Sequence, residues 1–154
     1  MRLKNILFVV KDINQSKTFY KELFGLEVVA DFGENVILTE GLVLQEKKIW
    51  ERFIQKEAIC GGNDAELYFE EDHIDEFLIK LKNSKYEITY INECIEHDWG
   101  QRVIRMYDLD GHIIEIGESL EYVARRCLQS GMTAEETAMK VQLPLSQIEE
   151  WMNI

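Results

Sequence analysis

Glu40-Gly41-Leu42-Val43-Leu44-Gln45 returns later in the chain as Asp110-Gly111-His112-Ile113-Ile114-Glu115: an acid, a turn glycine, then an apolar run closing on a polar residue. An acid–glycine pair ahead of alternating or β-branched residues reads as a turn delivering a strand. Working outward from the first copy, Lys4 to Val10 (KNILFVV) is β-branched and apolar. Asp12 to Asn14 supply capping chemistry, Gln15 to Phe24 is amphipathic with helical spacing, and Gly25 stops it. Leu26 to Ala30, Val36 to Thr39 and Leu42 to Gln45 then read as strands separated by Gly33-Glu34-Asn35 and Glu40-Gly41. The order is βαβββ.

Beyond a mixed connector holding Trp50 and Phe53, Gly61-Gly62 marks a break and the order starts again. Glu66 to Glu70 reads as a strand, and His73 to Asn83 as a helix whose Ile74, Phe77, Leu78 and Leu81 share a face. Glu87 to Ile91 is a third element, a strand, and Arg102 to Tyr107 with His112 to Ile116 form a hairpin about Asp108-Leu109-Asp110-Gly111. Two copies of one α+β unit, about residues 3–60 and 63–118, each present an apolar sheet face for burial. From Ser119 the pattern becomes helical: Leu120 to Gln129, Ala134 to Val141, and a short helix after Pro144-Leu145-Ser146 reaching Trp151. Residues 119–154 therefore read as a helical appendage to a domain over 1–118.

With 154 residues the chain suffices for one buried domain or two small halves, not for two independent enzymes. Its net charge of −12 repels polyanions, which disfavours nucleic acid as a partner. Cys60, Cys94 and Cys127 are odd in number and widely spaced, so they read as reduced thiols rather than a disulfide framework or a zinc site. The first twelve residues lack a cleavable signal pattern, and no stretch approaches the roughly 18 apolar residues of a membrane span. A cytoplasmic location is expected.

Asn5 to Tyr20 (NILFVVKDINQSKTFY) resembles the opening of the vicinal-oxygen-chelate superfamily of glyoxalases, bleomycin-resistance proteins and dioxygenases. Trp99-Gly100-Gln101-Arg102, followed by the turn Asp108-Leu109-Asp110-Gly111 and then His112 to Glu115, resembles its closing signature, with Leu109 where the family carries proline. The resemblance covers residues 3 to 118. It implies paired βαβββ modules forming a cup-shaped mixed sheet, a homodimer, and a small organic ligand inside the cup. In metal-using relatives the ligands lie on the first and last strands of each module; the repeat maps these to Asn5, Gln45, Glu66 and Glu115, without the usual first histidine.

Alternation puts Glu66, Tyr68 and Glu70 on one face of their strand and Leu67 and Phe69 on the other, while Asn5 shares a face with Leu7 and Val9. Ile6, Phe8, Leu67 and Phe69 are expected under the helices. Zinc, nickel and iron favour imidazole and thiolate donors, whereas two amides and two carboxylates suit at most a weakly bound divalent ion, with Mn, Mg, Ni and Zn all open. Glu66 and Glu115 are the candidate catalytic pair, with or without that ion, since neighbouring carboxylates in a partly dry site push one pKa upward. Pairing of both with solvent or with Arg102 or Arg105 is the plain alternative. Asn5, Gln45, Tyr68, Trp99, Arg102 and Met106 are the candidate ligand-binding residues; Tyr107 stands near the same strands. His73 reads as a helix-start residue, His112 as a turn residue, and His97 precedes the strand entering the site.

Ser130 to Trp151 resembles a helix-turn-helix, but Ser146 to Trp151 carries Glu149 and Glu150 and no Lys or Arg, so a protein contact is expected rather than DNA. Three functions follow in order of preference: a metal-independent small-molecule binding protein whose acidic, aromatic cup takes a neutral or cationic compound; a metal-dependent glyoxalase-like lyase, isomerase or dioxygenase; and a ligand-sensing regulator acting through the tail.

Overall fold

A computed structural model describes residues 1–153. Two compact units divide the chain: unit 1 comprises Met1–Ala65 with Tyr107–Ile113, and unit 2 comprises Glu66–Met106 with the chain from Ile114 on. Unit 1 holds β1 (Ile6–Val10), α1 (Ile13–Phe24), β2 (Val28–Asp31), β3 (Asn35–Leu38), β4 (Leu42–Glu46) and α2 (Lys47–Ile54). Unit 2 holds β5 (Glu66–Glu70), α3 (Ile74–Lys82), β6 (Tyr90–Glu96), β7 (Arg102–Tyr107), β8 (Ile113–Gly117), α4 (Leu120–Gln129), α5 (Ala134–Val141) and α6 (Leu145–Met152), apart from the residues of β7 and β8 nearest their shared turn.

The sheets have orders β1-β4-β3-β2 and β5-β8-β7-β6, so each strand of one occupies the place of its copy in the other. In the first sheet β1 and β4 run parallel, with Leu7 opposite Val43 and Val9 opposite Gln45, while β3 pairs antiparallel to both β2 and β4. The fold is α+β with a repeated βαβββ order, as the sequence pattern predicts.

Local chemistry explains the elements. Asp12 caps α1 by accepting from the Gln15 amide at 3.0 Å, and Gly25 closes it at φ 69°, a left-handed conformation that glycine adopts without the Cβ penalty. Ile13, Phe19, Tyr20 and Leu23 form its buried stripe, packed in unit 1 with strand residues such as Val10, Leu38 and Leu44. In unit 2, Ile74, Phe77 and Leu81 are buried on α3, and Ile104, Met106, Ile114 and Ile116 on β7 and β8. Helices α4 to α6 enclose a core of their own, with Val123, Cys127, Ala138, Val141 and Ile148 at its centre. Thr133 and Glu136 complete a reciprocal capping box at the start of α5.

Three expectations are corrected. The connector after Gln45 contains α2, two turns whose Ile49, Trp50, Phe53 and Ile54 have helical spacing; its cap is Glu46, which accepts from the Ile49 amide at 2.9 Å, an atypical capping residue that gives no standard start signal. The strand expected at Glu87 to Ile91 lies at Tyr90–Glu96, where exposed polar residues and register shifts against β7 hide the two-residue alternation. Ile6, expected under a helix, is 52% exposed, whereas Phe8 is buried.

Candidate functional site

Unit 1 contains a pocket of about 400 Å³. Leu7 and Val9 of β1 line one side, Trp50 and Ile54 of α2 another, and the segment from Glu57 to Ala65, together with Gly111, His112 and Ile113, completes it. Its size falls within the usual range of small-molecule sites, roughly 300–1,000 Å³. Lys47 and Glu51, paired at 3.2 Å one turn apart, brace α2, and Glu51 also accepts from the Ala58 amide at 3.1 Å, which ties the following segment back to the helix. Tyr107 donates to the Asn63 side chain at 2.7 Å, fixing another part of that wall.

A buried polar chain stands behind the pocket. Asp108 Oδ1 accepts from the amides of Asp110 at 2.9 Å and His112 at 2.8 Å, making the tight turn; Oδ2 meets the Tyr20 hydroxyl and His112 Nδ1, each at 2.8 Å. Burial alone would raise the Asp108 pKa, but the His112 side chain and amide, with Tyr20, more than offset it and hold the carboxyl below its usual range. Burial, then the Asp108 charge, push the Tyr20 phenol well above its ordinary value. The His112 ring stacks on Phe8 with centroids 4.1 Å apart. Asp110 turns the other way and accepts from the Lys11 amide at 3.0 Å; burial, then the neighbouring Asp108, raise its pKa.

Unit 2 gathers a different set. Gln101, 8% exposed, donates to the Tyr68 hydroxyl at 3.1 Å and to the Glu118 carbonyl at 2.7 Å while accepting from Trp99 Nε1 at 2.9 Å. Tyr68 and Trp99 are thus joined through a residue that sequence reasoning did not single out. A Cβ on Gly117 would lie 3.0 Å from Gln101 Nε2 and 3.2 Å from the Tyr68 ring, so glycine there admits their close approach. Burial, then Glu70, raise the Tyr68 pKa, with Glu115 and Asp72 adding and Gln101 opposing. His97 stacks on Trp99 at 4.3 Å, and its buried Nε2 makes no hydrogen bond. His73 is exposed and gives its helix no side-chain cap.

The remaining candidates are spread over other tasks. Arg102 is turned to Glu118 at 2.9 Å and to Asp75, and Met106 is fully buried in the unit 2 core rather than walling an open site. Glu66 is exposed at the start of β5, and Glu115 forms an ion pair with Arg105. In unit 1 Asn5 donates to the Gly41 carbonyl at 3.2 Å, while Gln45, 3% exposed, accepts from Asn35 Nδ2 and donates to the Glu34 carbonyl, both at 2.8 Å. Trp50, Ile54 and His112 of the pocket were not among the expected site residues. The amphipathic spacing of α2 and the Asp108-x-Asp110-Gly111-His112 pattern were the available signals.

The glyoxalase-like domain family matches residues 3–121, more than half of the chain. The chain belongs to this family. It lies within the vicinal-oxygen-chelate superfamily that its opening and closing motifs resemble. The fosfomycin resistance protein FosX of Listeria monocytogenes serovar 1/2a (strain ATCC BAA-679 / EGD-e) is 24% identical over 117 residues, covering 74% of this chain and 86% of that protein. A crystal structure of a protein of unknown function from Agrobacterium tumefaciens str. C58 is 35% identical, covers 77% of this chain and 94% of its own, and superposes with a TM-score of 0.67. A glyoxalase/bleomycin resistance protein/dioxygenase family enzyme from Burkholderia phytofirmans PsJN shares the fold at 16% identity, with 75% and 96% coverage and a TM-score of 0.64.

The metal implied by the superfamily finds poor donors at the corresponding positions. Both polar atoms of the Gln45 amide are engaged within the protein, the Asn5 amide is held by Gly41, and the Glu115 charge is answered by Arg105. Among the described residues no group of three or more His, Cys, Asp and Glu side chains is placed to share an ion. These donors do not fit a tightly held transition metal. Among the described residues no helix is long and apolar enough to cross a membrane.

Proposed function

We propose that this glyoxalase-like protein binds a small organic molecule without a resident metal, and that the molecule enters the unit 1 pocket. The observation carrying this reading is the cavity itself: apolar walls from Leu7, Val9, Trp50 and Ile54, an imidazole held by Asp108, and the polar side chains of Glu57, Asn63 and Asp64 on the segment that follows α2. Apolar enclosure supplies affinity, and a few oriented polar groups, His112 among them, supply selectivity. The free thiols of Cys60, Cys94 and Cys127 agree with a reducing cytoplasm, and a homodimer is the expected assembly.

A thermal-shift screen of small aromatic compounds and antibiotics, fosfomycin included, tests the reading in the presence of EDTA. Hits that persist in EDTA and lose their shift in Trp50→Ala support it. Shifts that appear only with Mn²⁺, Ni²⁺ or Zn²⁺ and ignore Trp50→Ala overturn it in favour of a metal-dependent lyase or dioxygenase.

A further inference from the structure

The imidazole at the pocket is unusually well determined. An ionised carboxylate only accepts hydrogen bonds, so Asp108 Oδ2, 2.8 Å from His112 Nδ1, places the ring proton on that nitrogen. The carboxylate cannot turn away, because its other contacts are the Tyr20 hydroxyl and two turn amides. Nor can the ring easily rotate, since it lies against Phe8 with an interplanar angle of 16°. In the neutral ring this leaves Nε2 as an acceptor, on a residue that lines the pocket together with Trp50 and whose side chain is 16% exposed.

Resting on the pocket reading, we infer that His112, positioned by Asp108 and Tyr20, is the polar anchor of the site and selects flat, apolar ligands that carry a hydroxyl. The ring of such a ligand meets Trp50, Leu7 and Val9, and its O–H donates to His112 Nε2. A ligand of the same shape whose oxygen carries no hydrogen leaves that acceptor desolvated and unpaired, which costs affinity. Asp108 and Tyr20 act through the ring and are positioning residues.

The experiment compares 1-naphthol with 1-methoxynaphthalene by isothermal titration or tryptophan quenching, in the full chain and in His112→Phe, which keeps an aromatic ring against Phe8. Wild type should prefer naphthol by roughly tenfold, about the value of one net hydrogen bond. The preference should vanish in His112→Phe while methoxynaphthalene affinity stays within about twofold, a split that a purely structural role for His112 does not produce. Equal wild-type affinities for the two compounds, or a preference that survives in His112→Phe, overturn the anchor and leave the pocket standing. Binding of neither compound by wild type overturns both. The wild-type comparison decides between these outcomes even if the variant fails to fold.

Discussion

Gln45 and Glu115 occupy the same place in the two copies of the repeat, on β4 and on β8, and each faces a partner at the matching place one strand over. In unit 1 that partner is Asn35, and the pair is a neutral amide–amide hydrogen bond of 2.8 Å. In unit 2 it is Arg105, and the pair is ionic. One geometry has been filled with two chemistries. At the strand position where the superfamily resemblance puts a metal ligand, both copies hold a cross-strand pair, and the unit 1 pocket is lined by other residues. The units diverge further in what surrounds the repeat: α2 and the segment after it wall a pocket in unit 1, whereas unit 2 is tied to three further helices through buried charge.

That buried charge is where the comparison can be broken hardest. Glu118 is fully buried, with Arg102 at 2.9 Å and Arg126 at 2.6 Å, and it also accepts from the Arg102 amide. Burial pulls its pKa upward, but the Arg126 and Arg102 contacts more than offset this and hold it below the usual carboxylate range. Glu118→Ala should lower stability in urea by about 3 kcal/mol, the order found when one partner of a buried ion pair is removed. A loss below about 1 kcal/mol would show that the two guanidinium groups find adequate water and that charge is not what ties the helices in.

Acid should act on the same network. A carboxyl whose folded pKa is depressed contributes stability that is complete above its unfolded pKa, near 4.3 for Glu, and is lost as pH falls through the folded value. Asp108 works in the same direction from its unfolded value near 3.9. Wild-type stability should therefore decline below about pH 4, and Glu118→Gln should flatten part of that decline. Identical pH slopes for the two proteins would remove Glu118 from the account.

The paired positions themselves predict a smaller effect. Glu115→Ala leaves Arg105 without its carboxylate and should cost about 2 kcal/mol. The double change Arg105→Asn with Glu115→Gln rebuilds the neutral pair of unit 1 and should recover at least half of that loss. Failure to recover would mean that the two copies are not interchangeable at this place. The smallest expected effect is in the last helices: Thr133→Ala removes the capping box of α5 and should cost about 1 kcal/mol, measured by thermal melting.

Much of the architecture was legible because it rests on local rules. The β7 and α4 boundaries follow directly from the apolar runs and from the cap at Ser119, which accepts from the Tyr122 amide at 3.1 Å. The duplicated turn and strand gave the repeat. The site was less legible because its residues are chosen by long-range contact. Tyr20 and Asp108 are far apart in sequence and meet in one hydrogen bond, and Gln101, which joins Tyr68 to Trp99, is the variable position of the Trp-Gly-x-Arg signature. His112 read as a turn residue, which it is, yet the Asp108 carboxylate that makes the turn also orients the ring.

Gly100 sits at φ 87° in the Trp-Gly-x-Arg signature, and a Cβ there would lie 3.0 Å from the Lys140 side chain and 3.2 Å from Val123. Arg126, on α4, donates to both the Gly100 carbonyl and Glu118. A chain cut after Glu118 would keep nearly all of the family-matching segment, yet it would strip a guanidinium from a buried carboxylate and empty the hollow over the signature glycine. The border drawn by sequence similarity is thus a poor place for scissors, and anyone wishing to transplant the second repeat of this protein should carry the last three helices with it.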